Sequence, residues 1–134
     1  MKRSLVLIAV ISLLVVISVF VFAACVPSDP AKAKTKYEDK GYTVVFDNSN
    51  AGNTVKKVAI SLLIDMTGDV AASLSATAKS VGYGEIIWFT ESKDAKAYEK
   101  YLKTNTSNED TYIKRDGKAV FKGAKDVYKM KKAA

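Results

Sequence analysis

Apolar and polar positions divide this chain into two unequal parts. From Leu5 to Ala24 the run is apolar and uncharged, broken only by Ser12 and Ser18; after Cys25, short apolar groups alternate with polar intervals. Within the second part the period changes from element to element. "VAASLSATA" puts Val70, Ala72, Leu74, Ala76 and Ala78 on one face and Ala71, Ser73, Ser75 and Thr77 on the other, which predicts a half-buried strand. After a turn at Gly82, Tyr83 and Gly84, "EIIWFT" is apolar on both faces and belongs in the sheet centre. "KDAKAYEKYLK" then spaces Ala95, Tyr98 and Leu102, with Ala97 and Tyr101 beside them, as the stripe of a helix capped by Ser92. That stripe is expected to lie on the sheet with Trp88 buried beneath it.

The remaining elements follow from turn chemistry. Asp29 and Pro30 read as an N-cap and first helical position, with Gly41 as the stop, so Ala31 to Lys40 is a short helix or else a charged tether. "YTVVF" is a strand running into the polar "DNSNAGN". Val55 to Met66 fits either period; as a helix capped by Thr54 and ended by "TGD", the favoured reading, Val55, Val58, Ala59, Leu62, Leu63 and Met66 share a face and Ile60 and Ile64 stand aside. Asp116 and Gly117 suit a two-residue hairpin in which Ile113 faces Val120, and Gly123 leads to a last helix carrying Val127 and Met130. Hairpins interrupted by helices predict an α+β domain: an antiparallel sheet of about five strands, from two hairpins plus one strand, with helices packed on one face.

Composition narrows the chemistry. Among 134 residues there is no histidine and one cysteine, Cys25. Imidazole-dependent triads and the commonest transition-metal ligand are thereby excluded, and no internal disulfide can form. No motif calls for a cofactor or a metal: "DNSNAGNTVKKV" puts Ala51 and Val58 where a calcium loop needs a ligand and a bidentate glutamate, and "VGYGE" lacks the lysine and helix of a phosphate loop.

Lys2 and Arg3 before the apolar run make residues 1–24 a targeting or anchoring segment. About 20 helical residues cover the 30 Å of a bilayer core, so a single uncleaved transmembrane anchor is one reading. Ordinary cleavage and secretion wants small residues at −3 and −1, and Phe22 at −3 argues against it. The order in "FAAC", apolar, small, small, cysteine, resembles the lipobox of bacterial lipoproteins, with Phe22 where that family usually has Leu. The resemblance implies removal of Met1 to Ala24 and a diacylglyceryl group on Cys25, on the extracytoplasmic face of the cell membrane. Residues 25–35 would then be a short tether and 36–134 a single domain. Across "FAAC", "KGYTV", "IIWFTESKDAKAYEKYL" and "RDGKAVFKGAKDVYK" the chain also resembles small uncharacterised bacterial lipoproteins, which implies localisation and fold class and no activity.

The expected function is a membrane-anchored surface lipoprotein with a non-enzymatic binding domain. Two alternatives are an envelope enzyme working through the carboxylates Asp65, Asp69, Glu91 and Asp94, and an inhibitor-like module presenting Tyr83 and the Asp116 turn at one edge. Tyr83 is the candidate partner-binding residue. The basic C-terminal end, Lys118 to "YKMKK", points to an anionic envelope ligand or headgroup rather than to nucleic acid, since an anchored domain meets the former first.

Overall fold

The computed structural model describes residues 25–133. The run from Leu5 to Ala24, and with it the choice between cleavage and a membrane span, lies outside the described residues. Among the described residues no helix is long and apolar enough to cross a membrane.

Elements follow in the order α1 (Pro30–Asp39), β1 (Thr43–Asp47), α2 (Asn50–Ser61), β2 (Val70–Ala78), β3 (Gly82–Phe89), α3 (Ser92–Asn105), β4 (Tyr112–Asp116), β5 (Ala119–Gly123) and α4 (Lys125–Tyr128). The strands form one antiparallel sheet in the order β1-β2-β3-β5-β4, an α+β fold built from two hairpins plus one strand. Its central strand is β3, as apolar side chains on both faces require.

Those two faces correct one expectation. Ile86 and Trp88 join an apolar cluster with Leu74, Phe121, Ala33 and Tyr37 of α1 and Val127 of α4, whereas Ile87 and Phe89 join another with Val120 and Ala95, Tyr98 and Leu102 of α3. Helices therefore cover both sides of the sheet, α1 and α4 on one and α2 and α3 on the other, because a strand apolar on both faces needs cover on both. Trp88 is buried, at 3% exposure, but under α1 and the segment before it. Successive residues of a strand point to opposite faces, so Ile87 and Phe89 are the ones that meet α3.

Two turns differ from the predicted ones. The β2–β3 turn is Lys79 to Val81, and Gly82, Tyr83 and Gly84 already belong to β3. Gly84 is needed there for packing, since a Cβ would stand 2.6 Å from the Phe121 ring and 2.8 Å from Val127. In the β4–β5 hairpin the loop residues are Gly117 and Lys118, and Asp116 pairs with Ala119, so Arg115 rather than Ile113 faces Val120. Gly117 has φ +61° and Lys118 does not share that sign, which fits a turn with glycine at its first central position.

The segment expected as a tether is part of the fold. Val26 is buried at 5% exposure, Ala33 fully, and α1 begins at Pro30 with Asp29 capping it through a bond from the Ala31 N–H. The packed domain thus starts at Val26, one residue after Cys25.

Candidate functional site

Antiparallel register brings the last residues of β1, β3 and β4 (Asp47, Phe89, Asp116) and the first of β2 and β5 (Val70, Ala119) to one end of the sheet. Cys25 lies at this end and is exposed. The residues after it are fastened: the Val26 N–H donates to Asp116 Oδ2 at 2.9 Å, and the Trp88 indole N–H donates to the Pro27 carbonyl at 3.0 Å. Asp116 Oδ2 also accepts the Tyr128 hydroxyl at 2.9 Å. Burial, and then the bond to Asp116, push the Tyr128 hydroxyl above its ordinary pKa, so it stays a donor at physiological pH. Asp116 does not act as a turn residue. Instead it joins the chain entrance, the last helix and the β4–β5 hairpin.

Helix α2 occupies the same end. A β-bulge between Val70 and Ala72 shifts Val70 to the α3 side of the sheet and takes Ala71 out of the ladder. Asn53 Nδ2 donates to the Ala71 carbonyl at 2.9 Å, and Lys57 Nζ meets Asp69 Oδ1 at 2.6 Å. These two, with Ile60, form the inward side of a helix capped by Ser49, not Thr54. At 100° per residue the side opposite them carries Ala51, Val55, Val58, Ala59 and Leu62. Val55, Val58 and Leu62 are 68%, 60% and 83% exposed, and Leu63 just beyond is 44% exposed. Val55 to Met66 is helical in its first part, as favoured, but its shared apolar face is turned outward and Ile60 faces in.

Of the four candidate carboxylates, Asp65 and Asp69 lie between α2 and β2, Glu91 between β3 and α3, and Asp94 in the first turn of α3; Glu91 and Asp94 both stand beside Gly68. Asp94, fully buried, accepts the N–H groups of Thr67 (2.9 Å) and Gly68 (2.8 Å) and the Thr67 hydroxyl (3.0 Å). Burial alone would raise its pKa, but these bonds outweigh it and hold the carboxyl below its usual range. Asp69 is paired with Lys57, and Asp65 and Glu91 are exposed. Among the described residues no three His, Cys, Asp or Glu side chains are placed to hold a metal ion.

Tyr83 lies toward the opposite end, paired with Thr77, and is 50% exposed. Its hydroxyl reaches back to its own sheet, 3.3 Å from Glu85 Oε2 and 3.4 Å from Ser75 Oγ. Tyr83 and the Asp116 turn therefore do not share an edge, as an inhibitor-like pair of loop tips would require. The C-terminal lysines are distal too: Ala133 N–H binds the Lys40 carbonyl, and Tyr42 Oη donates to the Lys131 carbonyl. Lys40, Lys79 and Lys131 thus lie on segments at the end of the sheet opposite Cys25. Comparison of the chain with known families, curated proteins and solved structures finds no match.

Proposed function

We propose that this chain is a lipid-anchored protein of the bacterial cell envelope, attached through Cys25 to the extracytoplasmic face of the membrane, whose α+β domain is a non-enzymatic binding module. The observation that carries this reading is the junction at Cys25: an uncharged run ends at Ala24, the sole cysteine is exposed, and the next residue is already docked on Asp116. A domain so attached stands directly on the bilayer, with two acyl chains giving stable anchorage where one would not. Its lysine-rich distal end then faces outward, toward anionic envelope polymers rather than the headgroups beneath it. A binding role rather than catalysis is supported by the engagement of Asp94 and Asp69 in structural contacts.

Intact mass of the membrane-extracted protein tests the anchor. The expected species has lost Met1 to Ala24 and carries a diacylglyceryl adduct on Cys25, and Cys25→Ser blocks processing. An unmodified chain of full length would replace the lipid with a transmembrane anchor.

A further inference from the structure

The outward side of α2 carries most of the exposed large apolar residues of the described fold. Its apolar residues are not scattered: Val55, Val58 and Leu62 fall on one side of a 12-residue helix whose other side is fixed by Asn53, Lys57 and Ile60. A contiguous exposed apolar stripe of this kind marks a contact surface. Its occupant is indicated by position. α2 packs at the end of the sheet where β1 finishes and β2 begins, and that is also the end at which the β4–β5 turn holds Val26, next to Cys25. The chain that precedes the described residues includes a charge-free run, Leu5 to Ala24, that finishes immediately before Cys25.

We propose that the outward stripe of α2 rests in the outer part of the lipid bilayer to which the chain is anchored, making a second, non-covalent membrane contact beside Cys25. The proposal rests on the anchoring reading only for the presence of a bilayer at Cys25, and it holds equally for a lipid on Cys25 and for an uncleaved span. Its chemistry is apolar. The stripe carries no charge, Lys57 on the inner side is committed to Asp69, and the lysine-rich surface is at the far end of the molecule. Contact with zwitterionic lipid is therefore sufficient, and added salt does not release it.

The test uses the full chain reconstituted into phosphatidylcholine vesicles whose acyl chains carry bromine, a short-range quencher of tryptophan. Flotation with the vesicles is read first, then emission of Val58→Trp and, as a control at the distal end, Thr77→Trp, each against the wild-type chain with its single Trp88. The expected result is that bromine reduces the added emission of Val58→Trp about twofold, as for a side chain lying in the headgroup and acyl boundary, and leaves that of Thr77→Trp unchanged. Flotation with equal, slight quenching of both and ready access of iodide to Val58→Trp would overturn the proposal and leave the anchor standing. Shielding of Val58→Trp from bromine and iodide alike would also overturn it, by putting a second copy of the chain on the stripe. Failure to float would remove the anchoring reading and the proposal together.

Discussion

Helices α2 and α3 are both amphipathic, of similar length, and on the same side of the sheet, yet only α3 turns its apolar stripe inward. Ala95, Tyr98 and Leu102 of α3 meet Ile87, Phe89 and Val120, and its charged residues face water. In α2 the arrangement is inverted: Asn53 and Lys57 face the domain and Val55, Val58 and Leu62 face out. The difference lies in what each helix covers. Over β3 and β5 the sheet offers apolar side chains, which an apolar stripe satisfies. Beside the bulge at Val70 it offers a backbone carbonyl left out of the ladder, that of Ala71, and Asn53 supplies a donor to it. A helix turned toward hydrogen-bond donors must show its apolar side to something else.

Substitutions can break or sharpen that contrast. The largest effect is expected for Leu102→Ala, which empties a packed site and should cost about 2 to 5 kcal/mol in denaturant unfolding of the detergent-solubilised chain. Next comes Asp94→Ala, which removes a buried carboxylate from three donors on the turn between α2 and β2 and should cost about 2 to 3 kcal/mol. Because the Asp94 pKa is lowered by folding, its contribution is fully present above about pH 4 and is lost as pH falls through the depressed value. Acid unfolding of Asp94→Asn should accordingly show a shallower loss of stability below that pH than the wild type does. Asp116→Asn weakens the bonds from Val26 and Tyr128 without emptying the site, and about 1 kcal/mol is expected, with faster amide exchange at Val26 as the local readout. The smallest effect is expected for Leu62→Ala, within about 0.5 kcal/mol in detergent-free unfolding. A cost for Leu62→Ala comparable to that of Leu102→Ala would show the two stripes to be equivalent and would erase the comparison.

The same contrast explains which features were legible in the residues. The bounds of β2, Val70 to Ala78, were readable from its alternation, but the bulge that moves Val70 to the other face from Ala72 was not. The stripe of α3 was readable because Ala95, Tyr98 and Leu102 share one side and an apolar strand precedes them. Periodicity says which residues share a side, however, and not where that side points, so the orientation of α2 was hidden; Asn53 and Lys57, four apart and polar, were the available sign. Trp88 was readable as core but its cover was not, since both faces of β3 are apolar. The hairpin register was two residues off because Asp116 answers to Val26 and Tyr128, partners that local turn chemistry does not reveal. At the candidate site Cys25 was singled out from sequence alone, whereas the α2 stripe and the role of Asp116 emerged only with the fold.

The docking of Val26 on Asp116 also sets how much the domain must search. On a flexible linker of ten or more residues, a surface patch samples a wide volume, and its effective concentration at the bilayer falls steeply with linker length. On the anchoring proposed above, the chain between anchor and fold would be Cys25 alone, so any surface at that end of the sheet would be delivered to the membrane within a narrow range of angles. Most of the orientational entropy of a second contact would then be lost already in folding, and a stripe of three or four modest apolar side chains, too weak to hold a free domain on lipid, would be enough to fix the tilt of a domain so tethered.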